Sequence, residues 1–357
     1  MPFNNQITIG GFGNVKTVRI GKGLPVAIQT MWKDKISQDT IDSVAARATR
    51  LESLGCDILR FAVPDIESAE ILGNLAERVT MPVVADIHFD YRIALRCLDF
   101  PIAKIRINPG NIGSREKTAA VLEKCAAKNV PVRIGVNSGS LPHDLRVLIS
   151  DRKISAAEAL CHAAERELAL FKEANFKNAV VSMKASSVQE TIIANKMFSE
   201  RHDAPLHIGV TEAGPLIAGI VRNTAALYEL LRDGIGDTVR ISLSDTMENE
   251  VIAAKEILLA AGRYSGVRII SCPRCGRCGF DTHKFTQKWQ EECYTLKKNV
   301  TIAIMGCEVN GLGEARAADL GITGAGNKIV LFKHGAIIKT VTESEADNAF
   351  REELEKL

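Results

Sequence analysis

Cys272, Cys275 and Cys278 lie in the stretch Ser271-Cys272-Pro273-Arg274-Cys275-Gly276-Arg277-Cys278. A fourth thiol, Cys307, lies far downstream in Met305-Gly306-Cys307-Glu308-Val309-Asn310-Gly311-Leu312-Gly313-Glu314. Soft thiolates in a tight Cys-x-x-Cys turn with one remote partner hold either an iron–sulfur cluster or zinc. The first makes the protein a redox enzyme, the second a folded module with a structural knuckle. A zinc ribbon normally brings a second Cys-x-x-Cys, and Cys307 has no thiol close by. Three cysteines spaced as Cys-x-x-Cys-x-x-Cys strain a single tetrahedral ion, so the spacing favours a cluster and leaves zinc open.

The chain holds nine cysteines, an odd number. Its first residues, Met-Pro-Phe-Asn-Asn-Gln, have neither the basic nor the apolar region of a secretory signal, so a disulfide framework is not expected and a cytoplasmic location is. Cys56, Cys97, Cys125, Cys161 and Cys293 read as small buried apolar side chains. A formal net charge of +2 with 25% charged residues gives no bulk attraction to nucleic acid or membranes. No apolar run approaches the roughly 18 residues a membrane span needs.

The elements that must position these groups alternate along the first two thirds of the chain. Short apolar runs at Val26–Met31, Ile58–Ala62, Val83–Asp86, Lys104–Ile107, Val132–Gly135, Ala179–Ser182, Leu206–Gly209 and Thr238–Ile241 are separated by helical patterns such as Gln38–Leu54, Ser114–Lys128, Ser155–Ala174 and Pro215–Asp233. That rhythm predicts an α/β fold, a (β/α)8 TIM barrel over residues 1–262. A smaller α+β domain over 263–357 is expected to follow, with strands at Val300–Met305, Ile329–Phe332 and Ala336–Val341, a hairpin turn at Lys333-His334-Gly335, and a helical tail from Glu343. A parallel barrel does its chemistry at the C-terminal ends of its strands. Those ends carry Arg60, Arg106 with Asn108, Arg133 with Asn137, Lys184, Glu212 and Arg240. Five converging cations with only Asp86 and Glu212 as neighbouring acids point to an anion with more than one phosphate. Asp86 and His88 end the third strand, where they could position a hydroxyl or shuttle a proton. The loop Asn108-Pro109-Gly110-Asn111-Ile112-Gly113 adds backbone donors that could cradle a phosphate.

Seven motifs, in order, give the chain a resemblance to a known family. They are Val63-Pro64-Asp65, Ala85-Asp86-Ile87-His88-Phe89, Arg106-Ile107-Asn108-Pro109-Gly110-Asn111, Arg133-Ile134-Gly135-Val136-Asn137, Gly209-Val210-Thr211-Glu212-Ala213-Gly214, the Cys272–Arg277 turn and the Met305–Glu314 segment. Over essentially its full length the chain resembles the bacterial two-domain 4-hydroxy-3-methylbut-2-enyl diphosphate synthases of the non-mevalonate isoprenoid pathway. The resemblance implies a barrel joined to a [4Fe–4S] domain and the two-electron reductive ring opening and dehydration of 2-C-methyl-D-erythritol 2,4-cyclodiphosphate. It implies electrons from a flavodoxin or ferredoxin, with Cys272, Cys275 and Cys307 binding three irons and Glu314 the fourth. The cyclic diphosphate would lie on Arg60, Arg106, Asn108, Arg133, Asn137, Lys184 and Arg240, with Glu212 and His88 as catalytic groups. It further implies a head-to-tail homodimer whose active sites are shared between chains. Cys278 departs from that ligand pattern and could compete with Glu314, and Glu308 is a lesser competitor.

Two other readings stand beside this one. A pterin-binding barrel transferase with an appended metal domain would present an Asp and an Asn to the pterin edge rather than five cations. A zinc-ribbon module for RNA or protein would need a basic face interleaved with aromatics. Residues 281–300 do hold His283, Lys284, Lys288, Trp289, Lys297 and Lys298, but Asp281, Glu291 and Glu292 break the patch, which reads as a solvated amphipathic helix.

Overall fold

The structure, a computed structural model, describes residues 2–108 and 112–357. It divides into one compact unit ending at Tyr264 and a second running from Ser265 to Leu357.

The first unit opens with a hairpin, β1 Gln6–Gly10 against β2 Thr17–Gly21, paired antiparallel. Eight parallel strands follow: β3 Ala27–Met31, β4 Ile58–Ala62, β5 Val83–Asp86, β6 Lys104–Ile107, β7 Val132–Asn137, β8 Ala179–Lys184, β9 His207–Ile208 and β10 Thr238–Val239. Their order is β8-β7-β6-β5-β4-β3-β10-β9, and a parallel bridge between Val181 and Leu206 joins β8 to the approach of β9, closing the barrel. The helices between strands include α1 Ile41–Leu54, α2 Ile66–Ala76, α3 Tyr91–Cys97, α4 Arg115–Ala127, α5 His143–Ser150, α6 Ala156–Glu173, α7 Val188–Ser199, α8 Leu216–Arg232 and α9 Met247–Ala260.

Local chemistry sets where the helices start. Asp65 accepts from Ser68 N at the head of α2, Ser187 caps α7 through Glu190 N, and Thr246 caps α9 through Asn249 N. A side-chain oxygen there satisfies backbone donors that the helix leaves free. Ser155 and Glu158 form a reciprocal capping box on α6.

The hairpin was not expected from sequence. Ile7, Ile9 and Ile20 on it pack against Ala27, Ile58, Val84, Ala103 and Val180, apolar residues at or beside the starts of barrel strands. It therefore seals the N-terminal end of the barrel. Two of the expected strands are shorter in the fold: Leu206–Gly209 and Thr238–Ile241 each hold only a two-residue ladder.

In the second unit a five-stranded sheet runs β11 Arg268–Ser271, β12 Thr301–Met305, β13 Leu320–Ala325, β14 Lys328–Lys333, β15 Ala336–Val341. The first two pairings are parallel and the last two antiparallel. His334 and Gly335, with φ of 49° and 81°, make the two-residue turn between β14 and β15, the conformation whose twist matches a hairpin. α10 Thr282–Tyr294 and α11 Ala346–Glu355 complete the unit. α10 is not simply solvated: Trp289 is 1% exposed, packs on Phe350 at 5.1 Å between ring centres, and donates Nε1–H to Asp347 at 2.8 Å. Among the described residues no helix is long and apolar enough to cross a membrane.

Candidate active site: a cationic pocket and a thiol pocket

A cavity of about 190 Å3 opens at the C-terminal ends of the barrel strands. Arg60, His88, Arg106, Arg133, Asn137, Lys184 and Arg240 all line it. Strand alternation brings them there, since residues two apart on a strand share a face. Asn108 is buried but does not line the cavity, and the loop residues after it, Pro109 to Asn111, lie outside the described residues. Glu212 is exposed, with φ of 51°, and accepts a hydrogen bond from Ser186 Oγ at 3.1 Å. Its neighbour Thr211 lines the cavity and Glu212 does not.

The acids are arranged differently from the sequence expectation. Asp86 takes Arg106 Nη1 at 2.9 Å and lies 3.6 Å from Arg60 Nε. Burial alone would raise its carboxyl, but the guanidinium groups of Arg60 and Arg106 hold it well below the usual carboxylate range. A carboxylate so clamped anchors two arginines. The second compensating acid is not Glu212 but Glu250, 1% exposed on α9. It accepts from Thr30 Oγ1 at 2.6 Å, Leu243 N at 3.0 Å and Arg240 Nη2 at 3.1 Å, and lies 3.0 Å from Lys33 Nζ. It lies in the first turn of α9, where acids are common, so nothing local in the sequence marks it. Met31, Thr211 and Ser242 also line the cavity. Ser242 could have been found by stepping two residues on from Arg240.

Five basic side chains thus face two buried carboxylates. Burial, then Arg240 and Arg106, push Arg60 down to about 10 against the pull of Asp86. Burial and four neighbouring arginines push the Lys184 amine well below its ordinary value. Arg106 also meets His88 Nε2 at 2.9 Å; a guanidinium only donates, so the ring presents a lone pair to it. Gly135 lets the Arg106 fork lie flat against β7, because a Cβ there would sit 2.5 Å from Arg106 Nε.

In the second unit, Cys272, Cys275, Cys278 and Cys307 line one cavity of about 170 Å3 with Arg277, Gly306 and Asn310. Gly306 N donates to Cys272 Sγ at 3.1 Å, and a Cβ on Gly306 would sit 2.5 Å from Cys278 Sγ. Cys278 donates to Phe280 O at 2.7 Å. A hydrogen bond from the Asn310 backbone, with Arg277 nearby, lowers the Cys307 thiol. Asn310 also donates Nδ2–H to Glu314 Oε2 at 2.9 Å, which ties the carboxylate to the Cys307 loop. Glu314 ends a single wide helical turn, Val309–Glu314, so it is not a helix N-terminal acid. Among the described residues no three His, Cys, Asp or Glu side chains close on a single metal ion. Several thiols around a shared cavity suit a larger, soft-metal group better than one zinc ion. The remaining thiols are buried, which pushes Cys56, Cys97, Cys125 and Cys293 up to about 12, and Cys161 to about 11.

Residues 13–255 match the family described as GcpE TIM-barrel domain, and residues 268–356 match GcpE protein C-terminal domain. The 4-hydroxy-3-methylbut-2-en-1-yl diphosphate synthase (flavodoxin) of Treponema denticola is 52% identical, covering 98% of both chains. The proteins of the same name from Treponema pallidum and Thermodesulfovibrio yellowstonii are 50% and 43% identical, covering 99% and 98% of this chain and 91% and 98% of their own. These relatives set aside the pterin-binding and zinc-ribbon readings. The chain belongs to the GcpE family, that of the 4-hydroxy-3-methylbut-2-en-1-yl diphosphate synthases.

Proposed function

We propose that the protein carries out the two-electron reductive ring opening and dehydration of 2-C-methyl-D-erythritol 2,4-cyclodiphosphate to 4-hydroxy-3-methylbut-2-enyl diphosphate, in the cytoplasm. The observation that carries the reading is the ring of five basic side chains around a small cavity, balanced among the described residues by Asp86 and Glu250. A diphosphate offsets most of that excess. Arg106 and Arg133 present forks to its oxygens, and Asp86 and Glu250 fix the forks of Arg106 and Arg240 before the ligand arrives. Asn137 and Ser242 offer neutral donors for the remaining oxygens. Glu212, at the rim beside Thr211, is the carboxylate available to pass a proton to the oxygen that leaves as water. His88, held by Arg106, orients a substrate hydroxyl.

Cys272, Cys275 and Cys307 would hold a [4Fe–4S] cluster, with Glu314 as its fourth ligand. When bound, such a cluster supplies electrons one at a time and a Lewis-acidic iron. A carboxylate is a harder and more exchangeable ligand than a thiolate, which suits the position that substrate must reach. Cys278, whose thiol is engaged by Phe280 O, is left out of the ligand set. The electron donor is a flavodoxin or ferredoxin, and the working unit a head-to-tail homodimer that pairs the 1–262 barrel of one chain with the 263–357 domain of the other.

Anaerobically purified protein is expected to be brown, to hold about four iron and four sulfide per chain, and to convert the cyclic diphosphate with reduced flavodoxin. Colourless protein that retains zinc after anaerobic reconstitution would overturn the reading.

A further inference from the structure

Beneath the cationic pocket lies a second tier of polar side chains. Lys104 precedes Arg106 by two residues on β6, Gln29 precedes Met31 by two on β3, and Thr238 precedes Arg240 by two on β10. His207 on β9 pairs in register with Thr238. Strand alternation therefore sets all four on the inner face, one step below the residues lining the cavity. Lys104 and His207 are both 0% exposed.

The tier holds more bases than partners. Lys104 Nζ donates to Gln29 Oε1 at 3.2 Å. Among the described residues, both ring nitrogens of His207, Gln29 Nε2, Thr238 Oγ1 and Arg133 Nε have no hydrogen-bond partner. The charged groups around it are mostly of one sign: Arg60 on β4, Arg106 on β6, Arg133 on β7, Lys184 on β8 and Arg240 just past β10. The two acids, Asp86 on β5 and Glu250 on α9, are already committed to Arg60, Arg106 and Arg240. Below the tier, the hairpin and strand starts supply apolar side chains.

We propose that Lys104 and His207 form a proton-accepting tier beneath the phosphate pocket, so that binding of the cyclic diphosphate draws a proton into the barrel. The inference rests on the substrate class proposed above. In the free protein, burial first and the neighbouring cations second hold both groups well below their ordinary values, which disfavours their charged forms. A bound dianion offsets most of the positive field at the tier, and a base that was too repelled to hold a proton then takes one from solvent. The proton adds a positive charge behind Arg133, where it holds the anion without touching it. Lys104 and His207 are thus positioning residues. The ligand does not blur the measurement: each phosphorus of a cyclic diphosphate bears one strongly acidic oxygen, already ionised at neutral pH.

Titration calorimetry of the full-length protein with the cyclic diphosphate, in buffers of different ionisation enthalpy, counts the protons. Lys184 lines the pocket and contributes its own uptake, so the tier's share is the difference between wild type and Lys104→Met or His207→Gln. Net uptake in wild type, reduced in either variant, is the expected result. The Kd of wild type should rise up to about tenfold per pH unit for each proton taken up, with a flatter profile in the variants. A purely structural loss would weaken binding equally at every pH. Binding without proton uptake, or with the same uptake in both variants, would overturn the tier and leave the pocket standing. No binding to wild type at any pH would instead remove the proposed substrate, and the tier's role with it.

Discussion

Arg106 meets Asp86, His88 and the Gly135 carbonyl. Arg106→Ala is expected to lower kcat/KM by roughly 30- to 1000-fold, on the order of 2–4 kcal/mol for a charged hydrogen-bonding group removed from a desolvated site. Steady-state kinetics with unchanged iron content checks it, and a loss below threefold would argue against the pocket. Lys104 has an effect on stability that separates it from its role in binding. The amine titrates near 10.4 in the unfolded chain and is held well below that by burial in the fold. Between those values the unfolded state binds more protons, so stability rises with pH toward about 10. Lys104→Met removes the imbalance, and its Tm should exceed that of wild type at pH 7 by a margin that narrows toward pH 10. An equal margin at both would mean that Lys104 is charged in the fold. The pocket arginines were legible because a period of two is a local property, although Arg60 and Arg133 lie within β4 and β7 rather than at their ends. Glu250, Lys104 and His207 were not, since what distinguishes them is burial among residues distant in sequence.

At the scale of elements, the β1–β2 hairpin does the work of a stopper. Ile9 is fully buried in the cluster that includes Ile58 and Val84. Ile9→Ala is expected to destabilise the barrel unit by about 2–5 kcal/mol, the usual cost of a core cavity. Urea unfolding followed by far-UV circular dichroism should show a lower midpoint with little change in slope. A midpoint shift of less than about 1 kcal/mol would mean that the hairpin collapses onto the vacated space. The barrel rhythm could be read from the alternation of apolar runs and helical patterns, but the hairpin could not. Its two strands are five residues each and flank glycines, with polar residues on their outer face. The opposite error occurred at β9 and β10: the apolar runs are there, but Gly209 approaches the Arg240 carbonyl so closely that a Cβ would sit 2.3 Å from it. Sequence pattern records burial, and ladder hydrogen bonds answer to geometry.

At the scale of the whole molecule, the proposed sharing of active sites between two chains can be tested by complementation. An Arg106→Ala chain lacks a working pocket, and a Cys307→Ala chain lacks a thiol of the proposed cluster. After confirmed subunit exchange, a mixed dimer with shared sites has one intact pair and should regain up to about half the activity of a wild-type dimer. No recovery would mean that each chain works alone. The cysteine cluster and the cationic strand ends were each legible as separate chemistries. Nothing local in sequence says which pocket faces which thiol, and the resemblance alone suggested the pairing. The surplus of basic over acidic groups in the barrel has a further consequence for the free enzyme. A cavity walled by Arg60, Arg106, Arg133, Lys184 and Arg240 behaves as a miniature anion exchanger, and in a cell rich in phosphate it will carry a counter-ion between turnovers. Catalysis then begins with an exchange rather than a filling. The apparent KM for the cyclic diphosphate should climb linearly with added inorganic phosphate or pyrophosphate at constant ionic strength, while the maximal rate stays put.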